Sequence, residues 1–573
     1  MSSRFSKLAS LYSRLEDTSS YNSKRKKLSE FFSSLSPQDV KVAAYLTLGS
    51  IGASYEDTDL GIAEKMAVRA VAYAYGEDEK KVNKLLEKKG DLGDAAASLN
   101  EKKRGSLTIS DVRSKLTKIK NASGENSQKK KLELLASLIQ DAPSNESRFI
   151  VRIVLGNLRI GVGDQMLLDA FAEAFAGGSS HKPEVEDGYN KCTDIGLLGE
   201  SLAKHGLSSA KRFSITLGRP VRAMLAQRVD KVSDILEKIQ SDELAAEEKY
   251  DGERVQVHKD GNKILLFSRR LNDITLQFPD IADALKKSIK RKKAVLDGEI
   301  VGYRKGEFLS FQKLMHRRRK YDVSEYREKV PAAVFLFDMI YLNGNSLLKR
   351  PYPSRRKELE KSVKESGMAH IAKRKVSSDF EEIRDFFQKS VDKGLEGIIV
   401  KSTAKDSVYQ PGNRGWLWIK WKKEYSEGMR ETFDLAVVGS YHGRGSRAGH
   451  FGALLCAAFN PKKDRFETFT KVGTGFTDEE FSSLQKLLKK HRARKKPESV
   501  VVAKEMEPDV YYEPGLVVEV FGAEITRSPS HTASREKGKG LALRFPRFQR
   551  VRKDKGPEDA TTIKEVKRIK NGK

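Results

Sequence analysis

Residues 247–254 read EEKYDGER, a lysine set among three glutamates and an aspartate with an arginine closing the run. Lys249 is a nucleophile only if its amine is neutral at the moment of attack. A lysine free in water is protonated in all but about one in 2,500 copies at pH 7. Nearby cations, a bound divalent metal or burial favour the neutral amine, whereas carboxylates alone do the reverse. Taken by itself the octapeptide therefore reads as a salt-bridged surface turn, and a chemical role requires positive charge from elsewhere in the chain.

Three other segments supply it, and a fourth adds carboxylates. In VQVHKDGNKILLF the Asp260-Gly261 pair suits a two-residue turn, which sets Val257 opposite Ile264 and Val255 opposite Leu266 on one face. The same register puts Arg254 opposite Phe267 and Arg269 opposite Gly252, so both arginines share the other face. In AVLDGEIVGY, Asp297 and Glu299 alternate with Leu296 and Ile300, placing two carboxylates on one side of an apolar strand, where they need a cation. WLWIKWKK carries Trp416, Trp418, Lys420 and Lys422 on one face, and EGIIVKS brackets an apolar strand with Glu396 and Lys401. Each segment has an ordinary alternative, solvated hairpin arginines or lysine stems covering a rim. Together they suit a triphosphate with a divalent metal: Arg and Lys for the phosphates, hard carboxylate oxygens for the ion. The chain has no G-x-x-x-x-G-K-[ST] run, so a P-loop is not the phosphate site.

The elements that must position these residues follow from the rest of the chain. Its 573 residues suggest three or four domains. Lys and Arg total 108 against 79 Asp and Glu, a formal charge of +29, which makes nucleic acid the first candidate partner. The two cysteines, Cys192 and Cys456, cannot build a disulfide framework or a four-cysteine zinc site. The opening MSSRFSKLASLYSRL lacks a signal-peptide core and no run of about 18 apolar residues occurs, so a soluble intracellular protein is expected, in the cytoplasm and near the nucleoid. Residues 1–228 show helical periodicity in segments such as DVKVAAYLTLGSIG and QKKKLELLASLIQDA. Between about 246 and 425 short strands with turn signals indicate a mixed α and β domain. From about 431, DLAVVGSYHG, ALLCAAFN, ETFTKVG and LVVEVFGAEIT suggest a small β-barrel, and TTIKEVKRIKNGK a basic tail, frayed or disordered.

KYDGER, SRRLND, VLDGEIVGY, VFLFDMIYLNG, EGIIVKS and WLWIKWKK occur in the order and spacing of the nucleotidyltransferase motifs of ATP-dependent DNA ligases, and the chain resembles that family along nearly its whole length. VRIVLGNLRIGVGDQMLLDAF and GRPVRAMLAQR look like its helical DNA-binding domain, and RFPRFQRVRKDKGPEDATT like its last motif. Without zinc-finger or BRCT additions the chain is most similar to the archaeal replicative type. The resemblance implies an all-α DNA-binding domain over 1–228, an α/β (α+β) nucleotidyltransferase domain of antiparallel sheets over 229–428, an OB-fold β-barrel over 429–562 and a basic tail over 563–573. It implies that Lys249 attacks the α-phosphate of ATP, that Glu247 lies at the adenine and Phe337 stacks on it, and that Arg254 and Glu299 contact ribose and phosphate. It makes Arg269 a phosphate contact, sets Arg414, Lys401, Lys420 and Lys422 around the phosphates, and gives Glu299 and Glu396 to Mg²⁺, with Mn²⁺ as an alternative. Arg544 and the segment Arg552–Lys555 match the part that closes over ATP. The implied partner is nicked duplex DNA, handled by a monomer.

The resemblance is incomplete at the sliding clamp. NEKKRGSLTIS, residues 100–110, lacks the Gln and paired phenylalanines of archaeal clamp-binding loops. RKKLSEFF, residues 25–32, spaces Leu28, Phe31 and Phe32 like a clamp-binding peptide but has Arg25 for Gln, and an amphipathic helix burying that face is the favoured reading. An RNA ligase or mRNA-capping-type nucleotidyltransferase is the nearest alternative function, and a non-catalytic nucleic-acid-binding scaffold the alternative of another class.

Overall fold

The computed structural model describes residues 2–102, 105–229, 233–304, 306–315, 317, 329–423, 432–443, 450–522 and 524–570. The expected boundary at 428/429, and Lys103 and Arg104 of the loop at 100–110, lie outside them. The chain divides into two compact units, Met1–Trp421 and Lys422–Lys573. No described helix is long and apolar enough to cross a membrane.

The first unit begins with α-helices running from Phe5–Glu16 to Leu207–Lys211. Side chains of Ser36, Asp91, Thr108 and Asp194 cap helix starts by accepting orphan backbone N–H groups, and Gly76 ends the helix Glu64–Tyr75 at φ +66°, where a Cβ would be strained. One apolar core runs through these helices, with Phe5, Phe32, Phe149 and Phe171 fully buried. Leu28 and Phe32 are inaccessible and Phe31 is 8% exposed, with Phe32 edge-on to Phe171 at 5.0 Å. The amphipathic-helix reading of RKKLSEFF holds: the side chains a clamp would need are holding the core together.

Two sheets follow. β2 (Leu244–Lys249), β10 (Arg374–Ser377), β11 (Gly397–Ser402) and β12 (Arg414–Lys422) form one with β1 (Leu225–Arg228), in the order β1-β12-β11-β2-β10. The other has the order β4-β3-β5-β7-β8, from β3 (Glu253–Asp260), β4 (Lys263–Ser268), β5 (Lys293–Arg304), β7 (Ala332–Leu342) and β8 (Asn345–Ser346), with β6 (Glu307–Leu309) and β9 (Ala369–Ile371) at its margins. β1 pairs in parallel with β12, so residues 225–228, expected with the helices, are built into the first of these sheets. The β3–β4 hairpin departs from expectation by two residues. Val257 faces Leu266 and Gln256 faces Phe267, because Gly261 and Asn262 form the loop, with Gly261 at φ +57°. An even shift preserves the faces. Val255, Val257, Ile264 and Leu266 still share the apolar core with Leu296 and Ile300.

The segment joining the helices to the sheets is docked on the polar face of β3. Gln256 Oε1 accepts Val221 N–H at 2.7 Å, and His258 Nδ1 accepts Gly218 N–H at 3.2 Å while Nε2 lies 3.0 Å from Gln256 Oε1. Ile215, Val221 and Met224 fill the apolar space beside Tyr409 and Trp418. His258 is buried, and burial pushes its imidazole down to about 3.

The second unit is strand-rich, with the sheet order β16-β15-β14-β13-β18-β22 and a three-stranded sheet β19-β21-β20, consistent with an OB-fold; β13 is Thr432–His442, β14 Phe451–Asn460, β15 Arg465–Val472, β16 Val500–Val501, β18 Val517–Phe521, β19 Glu524–Ser528, β20 Ala533–Glu536, β21 Lys539–Arg544 and β22 Arg547–Val551. The basic tail corrects the sequence reading. Residues 563–570 form a helix capped by Thr562 and Glu565, with Ile563 and Val566 buried in the core of this unit and Ile569 packed on it. Three apolar residues at helical spacing suffice, because the basic side chains project from the opposite side.

Val566→Ala is expected to destabilise the second unit by about 1–3 kcal/mol, measured as a lower urea midpoint for that unit. For His258, the unfolded imidazole takes up a proton below its ordinary 6.5 while the folded one stays neutral to about 3. Stability is therefore complete above that range and falls with pH inside it, by up to about 1.4 kcal/mol per pH unit. His258→Gln is expected to flatten this part of the pH–stability curve, read by thermal melting between pH 6.5 and pH 4.

Candidate active site

β2 and β11 pair antiparallel, with Lys249 opposite Gly397, Glu247 opposite Ile399 and Ala245 opposite Lys401. Leu244, Ala246, Ile398 and Val400 face an apolar core that includes Ile419 and Trp421. Alternation then turns Glu247, Lys249 and Lys401 to the opposite, cleft face. Lys249 Nζ lies 2.5 Å from Glu396 Oε2, and Glu396 N–H donates to the Lys249 carbonyl at 3.1 Å. Both side chains are 23% exposed, so the pair is open to a ligand. Glu396 immediately precedes β11, which frees it from that strand's alternation.

Across the cleft, β3 and β5 set Arg254 opposite Glu299. Arg254 donates to Asp297 Oδ2 and to the Met224 carbonyl, each at 2.7 Å. Tyr409 donates to the same Asp297 oxygen at 2.6 Å, and Gln256 Nε2 to Oδ1 at 3.1 Å. Asp297 is 1% exposed, and the cation that its burial demands is Arg254. Burial pushes the Glu299 carboxyl up to about 7, with Glu396 and Glu253 adding to the rise and Lys249 and Arg254 opposing it. The Asp251 carboxyl is raised by burial and then by Glu396. Arg269 is exposed in the turn after β4 and lines one small cavity with Arg254, Gln256 and Asp297.

Phe337 on β7 marks the other end of the cleft, half-buried and edge-on to Trp418 at 6.2 Å. The Arg254 guanidinium lies 5.4 Å from its ring centre. Lys401, expected among the phosphate cations, is instead buried here. Its Nζ sits 2.5 Å from Glu247 Oε2 and 4.2, 4.7 and 5.0 Å from the ring centres of Trp418, Tyr352 and Phe337. Burial lowers the Lys401 ammonium and Glu247 opposes that. Glu247 also accepts from Tyr352 Oη at 2.5 Å and Arg356 Nη1 at 2.8 Å. Sequence reasoning missed Tyr352, Arg356, Tyr409 and the buried Asp338–Arg355 pair, whose two contacts are each 2.9 Å. The available signal was RRKELE, where two adjacent arginines in a highly charged helix, Tyr352–Ser362, turn out to be buried.

On β12, Arg414 is exposed, Trp416 is 41% exposed, and Lys420 and Lys422 are half-buried at positions alternating with Ile419 and Trp421. Lys420 stands opposite Arg228. Within the second unit, Arg544 lies 3.6 Å from Glu524, and Arg552 makes two 2.9 Å bonds to Asp434, which also accepts from Lys555 at 2.7 Å.

Comparison with known proteins agrees along the chain. Residues 4–172 match the family described as DNA ligase N terminus, 223–422 ATP dependent DNA ligase domain, and 447–555 ATP dependent DNA ligase C terminal region. "DNA ligase 1" of Methanosarcina acetivorans is 52% identical over 578 residues, covering 99% of this chain and 100% of the relative. "DNA ligase 2" of Thermofilum pendens is 44% identical over 582 residues, covering 98% and 96%. The solved structure named "Pmar-Lig_PreS3" shares the fold, with a TM-score of 0.55 at 18% identity over 95% of this chain and 99% of that one. Relatives this similar over the full length of both partners are of one lineage, and the chain belongs to the ATP-dependent DNA ligase family.

Proposed function

We infer that the protein is an ATP-dependent DNA ligase that seals single-strand nicks in duplex DNA, of the kind left by replication, repair and recombination. The observation that carries the chemistry is the placement of Lys249 on the cleft face of β2, 2.5 Å from a carboxylate and across from an arginine-bearing sheet. In the first step Lys249 Nζ attacks the α-phosphorus of ATP, a P–N bond forms and pyrophosphate leaves. In the second, AMP passes from the lysine to the 5′-phosphate at the nick. In the third, the 3′-hydroxyl attacks that phosphate, the phosphodiester forms and AMP departs. Each is displacement at phosphorus, in which positioning and charge neutralisation do most of the catalysis.

The assignment of individual groups is part of the proposal. Glu396 is in reach of the ammonium proton that Lys249 must lose. Arg254 and Glu299 serve ribose and phosphate, Phe337 stacks on adenine, Glu247 meets its edge, and Arg269, Arg414, Lys420 and Lys422 serve the phosphates. Lys401 is assigned to the base end, in keeping with its pairing to Glu247. Glu299 and Glu396 would hold a divalent metal, Mg²⁺ or Mn²⁺. The donor chemistry fits: burial raises the Glu299 carboxyl and Glu396 adds to the rise, a carboxylate repulsion that a hard cation relieves. No group of three or more His, Cys, Asp or Glu able to hold a metal occurs among the described residues, so water and phosphate oxygens would complete the shell. The metal, when bound, supplies charge neutralisation for the phosphates.

The N-terminal match over 4–172 favours a DNA ligase over an RNA ligase or a capping enzyme, and the retained lysine and carboxylates disfavour a non-catalytic scaffold. We take the enzyme to work as a monomer that grips duplex through its phosphates, without sequence preference.

Incubated with α-labelled ATP, GTP or NAD, the wild type is expected to take up label from ATP alone, and Lys249→Ala to fall to background. Label retained by the variant would remove Lys249 as the nucleophile. Sealing of nicked duplex at limiting DNA is expected to drop at least about tenfold between 50 and 200 mM salt; a flat profile in gel-based ligation would contradict a phosphate-based grip.

A further inference from the structure

The base end of the cleft is more heavily built than attack by Lys249 requires. Glu247 Oε1 accepts the Tyr352 hydroxyl at 2.5 Å and Arg356 Nη1 at 2.8 Å, and Oε2 lies 2.5 Å from Lys401 Nζ. The Arg356 guanidinium is fixed on all sides: Nε donates to Glu360 at 2.8 Å and Nη2 to the Ala372 carbonyl at 2.6 Å. Ala372 N–H donates in turn to the carbonyl of Leu336, the residue before Phe337, at 2.8 Å. One planar group thus ties the carboxylate on β2 to the strand of the other sheet that carries the aromatic ring.

A carboxylate offers about four lone-pair positions. Two on Oε1 are taken by Tyr352 and Arg356 and one on Oε2 by Lys401, which leaves one acceptor position on Oε2. A purine bearing an amino group at C6 supplies a donor to it; a purine with a carbonyl there sets oxygen against oxygen. We propose that Arg356, with Tyr352, is a positioning residue for nucleobase selection, holding Glu247 so that its remaining acceptor meets the 6-amino group of adenine. This rests on the reading that Glu247 and Phe337 hold the base. The guanidinium is required in its planar form, since an ammonium cannot bond Glu247, Glu360 and Ala372 in one plane.

The test compares ATP with purine riboside triphosphate, which lacks only the 6-amino group, as substrates for enzyme adenylylation. Tyr352→Phe and Arg356→Lys are each judged by the ratio of kcat/KM for the two nucleotides within one preparation, a ratio that an inactive fraction leaves unaltered. The wild type is expected to prefer ATP by at least about tenfold, because a buried acceptor left without its donor is costly. Both variants are expected to lose at least about fivefold of that preference, with the loss falling on the KM for ATP and not on kcat. A wild type indifferent to the amino group would overturn the placement of the base against Glu247, and the proposal with it. A wild-type preference that both variants retain in full would overturn the positioning role alone and leave the base placement standing.

Discussion

The constraint on which the rest of the first unit depends is the alternation of β2 and β11. Leu244, Ala246, Ile398 and Val400 must face an apolar core that also holds Trp421, stacked on Phe387 at 4.1 Å. A slip of one residue would turn these side chains into the cleft and bury Glu247, Lys249 and Lys401 in hydrocarbon, at a cost of several kcal/mol per charge. Burial on one face therefore enforces the chemistry on the other. Lys249, the proposed nucleophile, needs no special loop to hold it.

The cleft is charged far beyond what a stable core would choose. Asp297 with Arg254, Asp338 with Arg355, and Glu247 with Arg356 and Lys401 are buried pairs whose desolvation consumes much of their attraction. Such pairs contribute little net stability, but each holds its side chain in one orientation. That suits displacement at phosphorus, where a catalyst gains most from charges fixed before the substrate arrives. Lys249 and Glu396 differ from the others in being partly exposed, and in the proposed reaction they are the pair that must separate first.

Much of this was legible in the sequence, for physical reasons that also explain the misses. Period-two alternation is robust to error: a β3–β4 register off by two residues still leaves Val255, Val257, Ile264 and Leu266 sharing the core, and Arg254 and Arg269 line one cavity. Asp297 announced a cation because carboxylates are not buried alone. Alternation assigns a face and not a distance along the cleft, so it turns Lys401 toward the cleft without revealing its buried pairing with Glu247. Arg355 and Arg356 were hidden by their neighbours, since a helix with charge on every side gives no apolar stripe to orient it. The closing helix at 563–570 was underrated because three apolar residues look too few until a ready-made core is there to receive them.

The bond from Arg254 to the Met224 carbonyl gives the covalent connection between helices and sheets a second duty. Met224 N–H is itself 3.0 Å from the Tyr409 hydroxyl, which donates to Asp297 along with Arg254. The connecting segment is thus one wall of the guanidinium's socket, and its backbone is shared by the helical and the sheet-bearing parts. The position of Arg254 is therefore set as much by the backbone of the connecting segment as by the carboxylate it pairs with.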